Sequence, residues 1–230
     1  DHNTVKWIPK LREALEDLRQ NSSFFRELVI FPGFEVNVSG NIHLLCVFDP
    51  QTSYEDLVSM FPLIGYDTDA ETTTKTIREI IEIVTSKKGI AIPAHVDKES
   101  GLFSSVASNI RTALSANGLL AFEVVDRSFH NGLYEDSKMH LSYVLGSDSH
   151  RTSTIADKFT WVKMGEPNIE ALKLALFDTE DGVIRSIEDA RNPNSIQGRT
   201  YIKSLKVSNG QCIGRGKPYN VTFSPWLSNI

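Results

Sequence analysis

The chain has 230 residues, enough to bury a hydrophobic core without the support of disulfide bonds. Its 24 basic and 29 acidic residues give a formal net charge of -5, which excludes a global attraction to nucleic acid but leaves a local basic groove open. Two cysteines, Cys46 and Cys212, lack a CxxC spacing, so we expect no disulfide scaffold and a reducing, cytoplasmic compartment. No apolar run approaches the roughly 20 residues of a membrane span, so we expect no membrane partner.

The first half of the sequence predicts a helix, a β-hairpin and two further helices. A helical face spans residues 8–18, and strands are predicted at 28–31, 34–38 and 42–48, the last two joined by the tight turn Ser39-Gly40-Asn41. A short helix begins near Ser53. The clearest helical pattern runs from Ile77 to Val84 and stops at Gly89. The apolar run that follows, residues 90–95, is typical of a buried strand.

Helices and strands then alternate through the second half. Helices are predicted at 106–114 and 169–177, and strands at 119–125, 143–145 and 159–164. This alternation favours an α/β fold of βα units around a mainly parallel sheet, either open or closed into a barrel. We therefore predict a barrel domain over residues 1–185, a linker over 186–200 and a β-rich segment with glycine-containing turns over 201–230.

Polar residues next to the predicted strands are the candidate functional residues, because ligands bind at the carboxyl ends of parallel strands. They are His2, Glu35, His43, His95, Glu123, Asp148 and His150, and they include four of the six histidines in the chain. Imidazoles mixed with carboxylates suit Zn²⁺, Mn²⁺ or Fe better than Mg²⁺ or Ca²⁺. Paired metals activate water for phosphoryl displacement, so no protein nucleophile is required. The sequence has neither a GxSxG elbow nor a P-loop, which agrees with that chemistry.

Each candidate also has a purely structural explanation. A single histidine at a strand end is more often a hydrogen-bonded polar residue than a metal ligand, and Asp148-Ser149-His150 fits an Asx turn or a helix cap. The joint placement of the candidates favours the metal site. His130 and His140 do not share this placement; His140 falls in a predicted helix, and both are predicted to be surface residues. Cys46 is predicted to be a core residue.

Five short motifs resemble those of the PHP (polymerase and histidinol-phosphatase) family. Asp1-His2-Asn3, Gly33-Phe34-Glu35, Asn41-Ile42-His43-Leu44-Leu45, Pro93-Ala94-His95 and Gly146-Ser147-Asp148-Ser149-His150 are similar, in order, to its T-D-H, G-x-E, I-H-hydrophobic, A-H-P-type and G-S-D-S/A-H motifs. The resemblance spans residues 1–185. It implies a distorted, seven-stranded β/α-barrel that holds up to three divalent metals and hydrolyses phosphate mono- or diesters.

The resemblance also implies a role for each motif residue. Glu35 would bridge two metals, with His43 and His95 completing the second metal, Asp148 serving the first, and His2 and His150 serving the third. Asp1 would orient His2, and Glu123 is not expected to be a ligand. The family's first-strand H-x-H motif has no counterpart in the sequence. We therefore expect that the first strand was removed, disordered or left out, and that fewer than three metals are held.

A second resemblance concerns residues 201–230, which end in Phe223-Ser224-Pro225-Trp226-Leu227-Ser228-Asn229-Ile230. They look like the strands that lead into the Walker A loop of ATPases fused to PHP domains, the TrlF type. The resemblance implies an ATPase domain in the same full-length chain. The alternative is a C-terminal hairpin that packs on the barrel.

Together these features predict a metal-dependent phosphoesterase that acts on nucleotides or nucleic acid through a metal-activated hydroxide, with Glu35, Asp148 and His150 as catalytic residues. Arg127, Arg151 and Lys98 lie beside the motifs and either hold a substrate phosphate or are ordinary surface charges. Two alternatives stay open: an inactive PHP-like barrel that serves as a docking module, and a metal-dependent amidohydrolase. The sequence does not specify the substrate, the native metal or the oligomeric state.

Overall fold

The computed structural model describes residues 2–23, 25–195, 204–210 and 215–222. The chain divides into two compact units, Asp1–Asp189 and Ala190–Ile230. The predictions made for Asp1, Cys212 and the run 223–230 lie outside the described residues. The division into barrel, linker and ATPase lead-in stays a prediction.

The first unit mixes helices with short strands. Along the chain the elements are α1 (Ile8–Asn21), β1 (Gly33–Val38), β2 (Ile42–Val47), α2 (Tyr54–Leu63), β3 (Tyr66–Asp67), β4 (Thr72–Thr73), α3 (Ile77–Ser86), β5 (Ile90–Pro93), α4 (Ala107–Leu114), β6 (Ala121–Glu123), α5 (Gly132–Ser137), β7 (Ser142–Val144), β8 (Thr160–Val162), α6 (Ile169–Phe177) and β9 (Val183–Arg185). In the second unit, β10 (Ser204–Val207) pairs antiparallel with β11 (Tyr219–Thr222). None of the described helices is long and apolar enough to cross a membrane.

Strands β1, β2 and β5 form a three-stranded antiparallel sheet in that order. The hairpin between β1 and β2 turns at Gly40 (φ 94°) and Asn41 (φ 58°), two residue types that tolerate positive φ. The register places Glu35 opposite Leu45 and Asn37 opposite His43. Gly33 lies at the start of β1, where a Cβ atom would collide with the carbonyl oxygen of Cys46. The hairpin predicted from the sequence is confirmed.

Alternation along β1 and β2 separates a core face from a second face. The core face carries the buried residues Phe34, Val36, Val38, Ile42, Leu44 and Cys46, which form one hydrophobic cluster with apolar residues of α2 and α3. The second face carries the candidate ligands Glu35 and His43. On the same face, Leu45 and Val47 belong to a separate apolar cluster that includes Ile90 and Leu176. Cys46 is fully buried, as predicted, and burial raises the pKa of its thiol.

The remaining strands continue the fold as pairs. Strands β6 and β7 are parallel, whereas β8 and β9 are antiparallel. A backbone hydrogen bond from the Val96 N–H to the Glu123 carbonyl (2.9 Å) joins the segment after β5 to β6, and one from the Val124 N–H to the Val144 carbonyl (3.0 Å) extends the β6–β7 pair. The fold is therefore mixed α/β, and the barrel stays a prediction. The prediction of a mainly parallel sheet was wrong for the described strands, because alternation of helices and strands does not set the direction in which a strand pairs.

Two local predictions were also wrong. Residues 28–31 are not in a strand, although they are apolar, and Leu28 is exposed. His140 is not helical, because α5 ends at Ser137 and Lys138 has a left-handed conformation. Both His130 and His140 are nevertheless exposed, as predicted.

Candidate metal centre

Glu35 lies at the centre of three imidazoles. Its Oε1 is 2.8 Å from His43 Nδ1 and 3.6 Å from His95 Nε2, and its Oε2 is 3.4 Å from His2 Nε2. His43 Nδ1 and His95 Nε2 are 3.2 Å apart. Ligand atoms of His2, Glu35 and His43 all lie within 4.8 Å of one another, the arrangement expected of a metal-binding group. The structure thus brings together four of the six predicted ligands in one cluster.

The antiparallel sheet sets the positions of this cluster. Because Glu35 is opposite Leu45, it is the diagonal neighbour of His43 on the same face of the hairpin. His2 forms a parallel β-bridge with Glu35, and the Asn3 N–H donates to the Glu35 carbonyl at 2.7 Å. His95 follows the end of β5, where the Ala94 N–H donates to the His43 carbonyl at 2.9 Å. Backbone hydrogen bonds therefore hold each ligand beside its neighbour.

The cluster fits a divalent cation. Glu35 Oε1 and His95 Nδ1 are buried without a hydrogen-bond partner among the described residues, which is costly unless another group satisfies them. Ligand atoms 2.0–2.2 Å from a tetrahedral ion lie about 3.4 Å from one another. The observed distances of 2.8, 3.2, 3.4 and 3.6 Å surround that value. Imidazole nitrogens with a carboxylate are donors that suit Zn²⁺, Mn²⁺ or Fe.

The electrostatic environment favours the metal-binding forms of Glu35 and His43. Burial opposes ionisation of Glu35, but His95, His2 and His43 together lower its pKa below the ordinary value. Burial lowers the pKa of His43, and this effect outweighs the attraction of Glu35. The pKa of His95 is raised, chiefly by its contact with Glu35. Glu35 is therefore an ionised carboxylate and His43 a neutral imidazole at neutral pH, which are the forms that bind a metal.

A pocket of about 350 Å³ opens beside the cluster. Its lining includes five of the six predicted ligands, His2, His43, His95, Asp148 and His150, together with Lys98, Ser100, Glu123, Val125, Gly146 and Lys158. Asp148 and His150 thus face the same space as the Glu35 cluster, although they are more exposed. Of the three cations suggested for substrate phosphate, Lys98 lines the pocket. Arg127 and Arg151, both within the described residues, are exposed and outside its lining.

Two candidate ligands have an unusual backbone. His95 has φ 29° and Asp148 has φ 44°, a region that residues other than glycine rarely occupy. Such conformations persist when surrounding contacts fix them, and they cluster at functional sites. The carboxylate of Asp148 makes no hydrogen bond to another described residue, whereas the His150 Nδ1 lies 3.1 Å from the Asp148 carbonyl. The Asp148 side chain is therefore available to a ligand.

Sequence reasoning missed two features of the site. Lys158 lines the pocket from the long segment between β7 and β8, where the only signal was a cation shortly before a predicted strand. Glu123 was singled out without a role. It is buried, and its two carboxylate oxygens accept hydrogen bonds from backbone amides. The expectation that the candidate ligands lie at strand ends was wrong for two residues, because Glu35 and His43 lie within β1 and β2 and not beyond their ends.

No protein-family model matches the chain, and no curated protein is similar to it. Solved structures similar to the chain include the lesion-specific endonuclease PfuEndoQ from Pyrococcus furiosus, and Endonuclease Q in complex with a 27-mer duplex substrate that has an abasic lesion at the active site. Each is 18% identical, with TM-scores of 0.49 and 0.48. The match covers 63% of this chain and 38% of the other, so the chain spans little more than a third of those proteins.

Proposed function

We propose that the chain is the metal-binding part of a hydrolase that acts on phosphate mono- or diesters of nucleotides or nucleic acid. The observation that supports this most strongly is the convergence of three imidazoles on one largely buried carboxylate: Glu35 Oε1 lies 2.8 Å from His43 Nδ1 and 3.6 Å from His95 Nε2, and Glu35 Oε2 lies 3.4 Å from His2 Nε2. Imidazole nitrogens gathered around a carboxylate are the donor set of a Zn²⁺, Mn²⁺ or Fe site. The motif resemblance to metal-dependent phosphoesterases supports the same chemistry.

A bound divalent cation would supply an activated water and would neutralise negative charge on a substrate phosphate. Glu35, His43, His95 and His2 would hold it, since they form the compact cluster. Asp148 and His150 line the same pocket and would complete the coordination of one or more ions. These six residues are the proposed metal ligands, with Glu35, Asp148 and His150 nearest to the proposed chemistry.

Two ammonium groups favour a phosphate as the substrate group. Lys98 and Lys158 both line the pocket, whose other ionisable residues are histidines and carboxylates. Lys98 is 3.8 Å from Asp97, while Lys158 forms no ion pair with another described residue. A phosphate in the pocket would be attracted both by the bound metal cation and by the ammonium groups of these two lysines. We therefore add Lys158 to Lys98 as a proposed phosphate-binding residue; Arg127 and Arg151 are weaker candidates because they are outside the pocket lining.

A linked ATPase belongs to the same proposal. It is supported by the resemblance of residues 201–230 to ATPase lead-in strands. If the coupling exists, Glu35→Gln in the natural full-length protein would stop phosphoester hydrolysis and leave its ATP hydrolysis measurable. ATP hydrolysis absent from the unsubstituted full-length protein would remove this part of the proposal.

The test measures Mn²⁺ binding by isothermal titration calorimetry and Mn²⁺-dependent hydrolysis of a phosphodiester reporter. The expected result is binding and turnover by the chain, both lost in Glu35→Gln and in the double variant Asp148→Ala with His150→Ala. Glu180→Gln is the matched control, because Glu180 is exposed and outside the pocket lining. Binding without turnover would favour the docking module, and hydrolysis of an amide reporter alone would favour the amidohydrolase. A folded chain that binds no Mn²⁺ would overturn the proposal.

A further inference from the structure

Glu123 connects two loops that carry candidate ligands. It is the last residue of β6 and is only 5% exposed. Its Oε2 accepts a hydrogen bond from the backbone N–H of His95 at 3.0 Å, and its Oε1 accepts one from the backbone N–H of Gly146 at 2.9 Å. His95 follows β5, and Gly146 precedes Asp148 by two residues in the segment after β7. One side chain in the pocket lining thus joins the segments that follow two different strands.

We infer that Glu123 is a positioning residue that fixes the separation of the His95 loop and the Asp148 loop; this inference rests on the proposed function. Hydrogen bonds to an ionised acceptor are about twice as strong as those between neutral groups. They end at His95 and close to Asp148, the two ligands whose φ is positive. Backbone conformations of this kind need external contacts to hold them. Glu123 supplies such a contact to each loop.

The approach of Gly146 to Glu123 is close. A Cβ atom at position 146 would lie 3.0 Å from Glu123 Oε1, which is tighter than ordinary van der Waals contact. Glycine therefore allows the amide to reach the carboxylate. Each oxygen of Glu123 accepts a hydrogen bond from a different backbone amide, so this carboxylate acts through His95 and Asp148 and does not itself serve as a ligand.

The deciding experiment uses Glu123→Gln in the whole chain. Glutamine keeps the shape of the side chain, but it offers one acceptor oxygen and one NH₂ group, so one backbone N–H loses its acceptor. In the metal-free protein, amide hydrogen exchange followed by NMR should accelerate about tenfold at His95, Gly146 or both. With Co²⁺ as the probe, affinity should fall about 10–100-fold. The visible absorption at saturation should keep the wild-type shape, because the ligands are the same.

Glu188→Gln is the matched control. Glu188 accepts hydrogen bonds from the buried Arg185, so its loss should lower the stability of the chain. It should leave the two amides and the Co²⁺ affinity unchanged, which separates positioning from general destabilisation. If Glu123→Gln does not fold, Glu123→Asp replaces it. The shorter carboxylate keeps its charge but cannot reach both amides, so one of the two should exchange faster.

The outcomes separate the positioning role from the metal proposal. Unchanged amide exchange with unchanged Co²⁺ affinity would overturn the positioning role. A changed Co²⁺ spectrum at saturation would also overturn it, because Glu123 would then be a ligand. If even the wild-type chain binds no Co²⁺, the proposed function fails, and the exchange rates of His95 and Gly146 still decide whether Glu123 holds the two loops.

Discussion

The pocket is built from two regions that differ in how they hold their ligands. In the sheet region, Glu35 and His43 lie on β1 and β2 and His95 follows β5, and their side chains are only 12%, 18% and 12% exposed. In the loop region, Asp148 and His150 are exposed and lie between β7 and β8. Strand register fixes Glu35 and His43 and places His95 directly after a strand, whereas the loop region depends on a few hydrogen bonds. We therefore expect the sheet region to determine metal affinity and the loop region to adjust it.

Removing the core beneath the sheet region should have the largest effect. Leu44 is fully buried between His43 and Leu45 on β2, so Leu44→Ala should lower the free energy of unfolding by about 2–5 kcal/mol. Ile155, in the loop region, is 62% exposed. Ile155→Ala should change the free energy by less than about 0.5 kcal/mol. Urea unfolding monitored by circular dichroism measures both, and equal losses would break the comparison.

The ligands of the two regions should differ in their effect on metal binding. Glu35→Gln should weaken Mn²⁺ binding by more than about 100-fold, because Glu35 lies beside three imidazoles. Loss of a metal ligand should lower the affinity more than loss of a residue that only positions a ligand. Asp148→Asn should cost less, since solvent can replace an exposed carboxylate. Calorimetric titration with Mn²⁺ gives both affinities. A larger loss for Asp148→Asn would reverse the ranking of the two regions.

A methyl group at Gly146 should disturb the loop region alone. In Gly146→Ala the new Cβ would meet Glu123 Oε1 at 3.0 Å, so the amide would move away from its acceptor. We expect Mn²⁺ affinity to fall about tenfold, the lower end for outer-shell changes. Gly165→Ala is the control, because a Cβ there has open space around it. Unchanged affinity in Gly146→Ala would show that the loop holds its ligands without the hydrogen bond from Gly146 to Glu123.

The smallest expected effect is a pH dependence of the free energy of unfolding of the metal-free protein. Glu35 raises the pKa of His95, so protonated His95 stabilises the fold. That stabilisation is complete below the unfolded pKa of about 6.5 and is lost as pH rises through the higher folded pKa. The pKa of Glu35 is lowered, so Glu35 is ionised throughout this range.

The measurement compares wild type with His95→Gln by urea unfolding in the presence of a chelator. Their difference in the free energy of unfolding should be largest near pH ~6 and should shrink toward pH ~8. His130→Gln is the control, because His130 is 84% exposed and outside the pocket lining. A difference that grows with pH would contradict the ion pair between His95 and Glu35.

The sheet region was more predictable from sequence than the loop region, for a physical reason. Alternation between polar and apolar residues locates β1 and β2, and their short turn fixes the pairing that brings Glu35 to His43. The run 28–31 shows the limit of this approach, since apolar residues form a strand only where a partner strand is available. The role of Glu123 depends on contacts to His95 and Gly146, which are 28 and 23 residues away in the chain. No local pattern in the sequence encodes such a contact.

The register of the β1–β2 hairpin also has a consequence for sequence divergence. Because side chains alternate between faces, inserting one residue into the turn at Ser39-Gly40-Asn41 would shift His43 to the core-facing site of Leu44 and bring Ile42 into the site of His43. Inserting two residues would restore the facing, although it would move His43 along the strand. Among related sequences, we therefore expect length changes in this turn to be even-numbered wherever the histidine is retained. Whether the number of residues inserted in this turn is odd or even would then indicate whether the metal centre is retained.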